Sequence, residues 1–349
     1  MSQLEVDVAV VGAGPIGLEV AAILQSEGLQ VVVVDAGPIG ATIANCFPPD
    51  TRFFTSPERL QLFGQAIDPI NQEKLTGEEY LSYLRSYVRT HKLQVRTFER
   101  VVAIEEIAGE SDPKPRAAEY RLTTRTRSGR TCQLDAKYVV LATGGTDSPR
   151  RLGIPGEELP HVHSNLGDPH QYAGRRVLIV GGRNSAAESA LRCYRVGAQV
   201  HMVHRQPQLY ERIKFWIKPE VESLMREGQI IGHLPDEIVR ITPETAELAS
   251  GELLEVDDVI LQIGFDQDKM VFDLAGITYG GPEGAPEFDQ DTMRATRAGI
   301  FVAGTATAGT QGDFGVFVEN SHDHGHLIAA AIAGRPAPPR TSTRPLPEV

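Results

Sequence analysis

Two doubly wound α/β domains are what this sequence predicts, and three observations predict them. A β-branched run at residues 5–11 passes through the glycines of GAGPIG into an apolar pattern of helical period. A second run, QVVVV, then ends at Asp35. The same strand–glycine–helix–strand order starts again at residue 175, in RRVLIVGGRNSAAESALRCYRVGAQVHMVHR. Strand-then-glycine text returns a third time as RAGIFVAGTATAG. Parallel strands are covered on both faces, so they read as continuous apolar runs rather than alternating ones.

The elements between obey the same logic. Residues 36–58 are rich in Gly, Pro and aromatic residues and read as irregular, with helix-like text near 58–64 and 77–90. Residues 101–140 alternate as antiparallel strands do, with SGR as a turn, and YVVLATGG is a buried strand entering a glycine turn. VDDVILQIG (256–264) is another apolar strand. A helix is expected from about 314 to 333, stopped by Gly334 and Pro336, with the Pro-rich tail 336–349 disordered.

Composition narrows the classes. At 349 residues the chain is long enough for two domains, and 41% hydrophobic with 23% charged residues is ordinary globular usage. A formal net charge of −12 without a long basic run argues against nucleic-acid or anionic-membrane partners. No apolar stretch approaches the ~18–20 residues of a membrane helix, and the acidic MSQLEVDVAV start is not that of a secretory signal. The three cysteines, Cys46, Cys132 and Cys193, are too scattered for a CxxC pair or a disulfide framework. A cytoplasmic setting is expected.

Gly12, Gly14 and Gly17 have the GxGxxG spacing between strand and helix, with Pro15 and Ile16 inside the motif and Asp35 closing the next strand. Such a turn brings backbone and a helix N-terminus to a pyrophosphate, and the acid accepts from a ribose. This predicts FAD rather than FMN. The second unit keeps Gly181 and the small Ala186 but has Arg183 where the middle glycine would stand, followed by Asn184 and Ser185. Its second strand ends in His204-Arg205, not an acid. An arginine there accommodates a 2′-phosphate, so NADPH is predicted over NADH. Lys214, with Arg212 and Lys218, adds charge nearby.

The set GAGPIG, ATGG, VLIVGGRNSAAE, the HR strand end and GIFVAG resembles the thioredoxin-reductase-like flavoproteins over essentially residues 5–333. Within them, RFFTSPERL, GGRNSAAESAL, IKFWIKPEVESL and FVENSHDHG are similar to the bacillithiol disulfide reductase (YpdA) family. The resemblance implies an FAD domain from residues 1–157 and 292–349, with an NADPH domain, 158–291, inserted. It implies hydride transfer from NADPH to flavin and onward to a low-molecular-weight disulfide, bacillithiol disulfide by resemblance. Ala36, Phe54, Val101, Thr143, Gly144, Gly304, Thr305 and Phe317 are further cofactor-binding candidates, Thr305 standing where relatives of the wider group carry an aspartate.

Two departures keep alternatives open. There is no CxxC. Ile16 occupies the position where the bacillithiol reductases typically carry a cysteine. IPGEELPHVHSN is similar to a flavin-monooxygenase motif, but Pro160 stands where that motif has histidine, which weakens that reading. Cys46 is the one thiol candidate, against a plain buried role. A ferredoxin- or flavodoxin-NADP reductase needs no thiol, with a small redox protein as acceptor, and a flavin-binding sensor needs no turnover. His322, His324 and His326 alternate, which on a helix points neighbours about 200° apart, so no metal is expected. A homo-oligomer is.

Overall fold

Val8, Ala9 and Val10 are wholly buried, as a strand with partners on both sides must be. They lie in β1 (Gln3–Val11), followed by α1 (Pro15–Ser26), β2 (Val31–Val34), α2 (Ala41–Cys46), α3 (Pro57–Leu60), α4 (Gly77–Thr90) and β3 (Gln94–Arg96). A meander comes next: β4 (Glu99–Glu106), β5 (Tyr120–Thr126) and β6 (Thr131–Leu141). It leads to β7 (Ser148–Pro149), β8 (Val162–His163), β9 (Arg176–Val180), α5 (Asn184–Arg195), β10 (Gln199–Val203), α6 (Lys218–Arg226) and β11 (Ile230–His233). The strands β12 (Ile238–Ile241), β13 (Thr245–Leu248) and β14 (Leu253–Glu255) precede β15 (Asp258–Leu261). The chain continues with β16 (Phe265–Asp266), α7 (Met270–Leu274), β17 (Tyr279–Gly280), β18 (Ala285–Pro286), β19 (Ile300–Val302) and α8 (Asp323–Ile332). This computed structural model describes residues 3–48, 50–69, 71–107, 119–146, 148–312 and 315–340.

Two units divide the described residues. The first holds the residues before Cys46, the stretch Asp50–Ser148 and the residues after Gly264; the second holds Pro149–Gly264 and the short piece starting at Cys46. In the first, the sheet runs β3-β2-β1-β6-β5-β4. β6 has two partners on one side. Residues 131–136 pair antiparallel with β5, and residues 139–141 pair parallel with β19. The carboxyl ends of β2, β1, β6 and β19 therefore share one edge, where open α/β sheets bind ligands.

The second unit has a five-stranded sheet in the order β11-β10-β9-β15-β8, parallel throughout. Chain order reverses between β9 and β15, which marks the crevice position. A small antiparallel sheet, β12-β13-β14, packs Ile238, Ile241, Ala246, Leu248 and Leu254 into the same core as Leu178 and Val259.

The units part at 148/149 and 264/265, earlier than the sequence-based limits at 157/158 and 291/292. The reason is packing. Leu152 and Ile154 lie against the second core, while Phe272, Ala275 and Ile277 are buried in the first. The expected helix from about 314 is instead a short 3₁₀ turn at Val318–Asn320 followed by α8. The segment read as irregular contains α2. Of the tail expected to be disordered, residues 341–349 lie outside the described residues.

On α4, Tyr80, Tyr83 and Tyr87 recur at helical spacing and point their hydroxyls at one loop. They donate to the carbonyls of Leu60 (2.9 Å), Gln65 (2.8 Å) and Phe63 (2.9 Å). That loop is thereby held beside α1, where the Phe63 N–H donates to the buried Glu19 (2.9 Å).

Candidate functional site

The first glycine turn separates two kinds of glycine. Gly12 sits at φ +115° and a Cβ there would collide with the Ala142 carbonyl; one at Gly17 would collide with the Gly12 carbonyl. The protein itself forbids side chains at both. At Gly14 a Cβ would meet nothing within 4 Å, so nothing in the polypeptide asks for glycine there. Gly14 is also the N-cap of the twelve-residue α1, without a side-chain cap and with Pro15 in the first turn. Bare backbone, open space and the positive end of a helix together suit a pyrophosphate.

Asp35 closes β2 beside this turn. Its carboxylate accepts from the N–H groups of Ala13 and Gly37, both at 2.7 Å. Burial raises its pKa, and those two N–H groups oppose the rise. Each oxygen keeps a lone pair for a further donor. Ala36 is exposed and Phe54 half-buried, whereas the Val101 side chain is in the hydrophobic core.

Across β1, the ends of β6 and β19 meet. A Cβ on Gly145 would come within 3.0 Å of the Thr305 carbonyl oxygen. The Thr143 hydroxyl is buried with no hydrogen-bond partner among the described residues. Gly304, at φ +70°, lies against Ile16 and donates its N–H to His324 Nδ1 at 2.9 Å. Phe317 is half-buried, its N–H donating to Asn320 Oδ1 (2.8 Å).

The three alternating histidines take three roles. His322 places Nδ1 at 2.8 Å from Glu19 and Nε2 at 2.8 Å from the Arg59 carbonyl. A carboxylate and a carbonyl are both acceptors, so this pair of neighbours favours a ring with two protons. Burial opposes that charge, but the Glu19 and Arg59 contacts outweigh it and raise the pKa. His324 is the reverse case. Burial first, and then the charge of Arg340, lower it to about 4, which keeps Nδ1 an acceptor. His326 stacks edge-on against Phe63 at 5.5 Å.

The second turn is built differently. At Gly181 (φ +140°) a Cβ would strike the Gln262 carbonyl, and at Gly182 it would strike the His204 ring. Arg183 is exposed, caps α5, and lays its guanidinium 4.5 Å over the Tyr210 ring. The loop after β10 is stapled back by Tyr210 N–H to the Gly182 carbonyl (2.9 Å) and by Lys214 N–H to Asn184 Oδ1 (2.9 Å). The loop also carries Trp216, edge-on to the exposed Phe215 at 4.8 Å. Ser185 is exposed and Ala186 buried. Arg205 is exposed. Burial lowers the His204 pKa, and the charges of Arg205 and Arg183 lower it further.

The thiols divide as well. Cys132 and Cys193 are buried, and burial pushes the Cys193 thiol up to about 12. Cys46 is half-buried at the end of α2.

The sequence reading missed Gln267, whose Nε2 donates to the Gly144 and Ala306 carbonyls, Tyr210, and the Glu19–His322 pair. Tyr210 had a signal, an aromatic close behind the HR strand end. The others had none short of tertiary structure.

Among the described residues no helix is long and apolar enough to cross a membrane. A family model described as pyridine nucleotide-disulphide oxidoreductase matches residues 9–304. Bacilliredoxin reductase Bdr of Bacillus subtilis is 30% identical over 330 residues, covering 93% of this chain and 97% of the relative. The solved bacillithiol disulfide reductase Bdr (YpdA) from Bacillus cereus superposes with a TM-score of 0.86 at 33% identity, covering 95% of this chain and 99% of that one. A ferredoxin–NADP reductase of Ignicoccus hospitalis is 28% identical over 311 residues, 86% of this chain and 90% of the relative.

Proposed function

This chain belongs to the pyridine nucleotide-disulphide oxidoreductase family, and from that premise we propose that it reduces bacillithiol disulfide or a close low-molecular-weight analogue. It is an FAD- and NADPH-dependent flavoprotein oxidoreductase. The balance is one NADPH and one proton for one disulfide, giving NADP⁺ and two thiols. FAD, when bound, supplies the two-electron relay between nicotinamide and disulfide. The observation that carries the substrate reading is the likeness to a bacillithiol disulfide reductase along nearly its whole length.

FAD belongs to the first unit. The Gly14 backbone and the start of α1 take the pyrophosphate, Asp35 takes the adenosine ribose, and Thr143 and Thr305 stand where the riboflavin half would lie. NADPH belongs to the second unit. Gly181 and the start of α5 take its pyrophosphate, Arg205 reads the 2′-phosphate, and Arg183 adds charge.

With Ile16 in the first turn and Cys132 and Cys193 buried, we assign no protein thiol to the reaction. Cys46→Ser should therefore leave disulfide turnover within about twofold of wild type, the effect of a half-buried substitution outside the chemistry. Loss of turnover with flavin reduction intact would make Cys46 the attacking group.

The ferredoxin–NADP reductase relative supports a second reading, a protein acceptor and no thiol. Anaerobic mixing with NADPH, then with bacillithiol disulfide or ferredoxin, separates the two. Bleaching of the flavin and release of two thiols per NADPH is the expected result. Reoxidation by ferredoxin alone gives the second reading.

A further inference from the structure

Gln267 comes directly after β16, two residues beyond Phe265, where the chain re-enters the first unit. It is only 5% exposed. Its Nε2 donates to the Gly144 carbonyl at 3.0 Å and to the Ala306 carbonyl at 2.8 Å. One carboxamide thus laces the loop after β6 to the 3₁₀ turn after β19. Its backbone N–H is fixed too, donating to Thr310 Oγ1 at 3.0 Å.

Those contacts settle which way the amide faces. Swapping nitrogen and oxygen would set an acceptor against two carbonyl oxygens, so the orientation is dictated by its partners. Oε1 is then left buried and, among the described residues, without a hydrogen-bond partner. Native interiors rarely leave such an acceptor unsatisfied. The Thr143 hydroxyl, next to Gly144, is a second unpartnered buried atom among those residues.

Sheet order says what kind of group belongs here. Asp35 lies on the β2 side of β1, and Gly144 and Ala306 lie on the β6 and β19 side. A dinucleotide with its adenosine at Asp35 and its pyrophosphate at the β1–α1 turn extends its other half toward β6 and β19. That half is riboflavin, whose donors are the ribityl hydroxyls and the ring N3–H.

We propose that Gln267 is a flavin-positioning residue whose Oε1 accepts a hydrogen bond from the riboflavin half of FAD. Cofactor binding and the β6–β19 seam are then coupled through one amide. The proposal rests on the placement of FAD in the first unit.

The test is binding of FAD and its analogues to apoprotein, read by flavin fluorescence. 3-Methyl-FAD lacks the N3–H, and a ribityl-deoxy series lacks one hydroxyl at a time. Wild type should bind one analogue about tenfold more weakly than FAD, the effect of leaving a buried acceptor unpaired. In Gln267→Leu that same analogue should bind as well as FAD does. 3-Methyl-FAD in this role names the ring as donor; a deoxy analogue names the ribityl chain. Equal losses in wild type and variant overturn the proposal and leave Oε1 to a water molecule. Should Gln267→Leu not fold, Gln267→Met keeps the length without polar atoms. Should that fail as well, undiminished binding of every analogue by wild type overturns the proposal, and a tenfold loss for a single one supports it. Failure of the FAD placement looks different, since stoichiometric FAD in Gly14→Leu would remove it whatever Gln267 does.

Discussion

The two glycine turns solve one problem with different residues. In the first, Gly12 and Gly17 are imposed by neighbouring carbonyls, and Gly14 is imposed by nothing within the protein. In the second, both glycines are imposed by the chain, by the Gln262 carbonyl and the His204 ring, and the third position carries Arg183. A glycine with no internal reason points to a ligand that must touch backbone. An arginine in its place, swung over Tyr210, points to a ligand met by charge as well as by backbone. On the proposed placement of the two cofactors, one turn selects by space and the other by sign.

Exchanging these solutions should produce the largest effects. Gly14→Leu is expected to fold, because a Cβ there meets nothing within 4 Å, yet to purify colourless with an unchanged far-UV spectrum. Yellow protein with stoichiometric flavin would end the comparison. Gly12→Ala, in contrast, should fold poorly, since its Cβ has no room and its φ is strained for any L-residue.

On the other turn, Arg205→Ala should raise the KM for NADPH roughly ten- to a hundredfold, the worth of one charge-assisted contact, and leave that for NADH nearly unchanged. Arg183→Gly should weaken both nucleotides alike and by less, because pyrophosphate is common to them. Equal losses for both nucleotides in Arg205→Ala would show that it does not read the 2′-phosphate.

The smallest effects come with pH, and here two histidines two residues apart oppose each other. His324 has a folded pKa of about 4, below its unfolded value of about 6.5. The unfolded chain then binds the extra proton, so apoprotein stability should fall as pH drops from about 6.5 toward 4. The pKa of His322 is raised. Its contribution is complete below the unfolded value and is lost as pH rises through the folded one. Thermal melting against pH should show both flanks. His324→Gln should flatten the acid side, and Glu19→Gln the alkaline side. Unchanged flanks would show that neither ring holds its assigned charge.

Most of the architecture was legible because buried parallel strands announce themselves as apolar runs and a tight turn demands glycine wherever it occurs. Both are local signals. What escaped was non-local. Gln267 acts on Gly144, 123 residues away, and the sequence-based limit at 291 had placed it in the other domain. Phe272 and Ile277 look like any apolar pair until the core that buries them is known. The HxHxH run was legible as divergent, yet not as one charged and one neutral ring, since that depends on Glu19 and Arg59 from elsewhere in the chain.

Trp216 is the chain's single tryptophan, and the loop that bears it is tied to the second glycine turn. Indole emission, excited at its red edge, is therefore an optical label for the second unit that needs no engineering. On the placement of FAD proposed above, flavin emission labels the first. A denaturant titration monitored at both wavelengths reports each unit separately, and noncoincident curves would reveal that one melts while the other stands. On the placement of NADPH proposed above, the same indole doubles as a probe of nucleotide docking, read as quenching by the reduced nicotinamide.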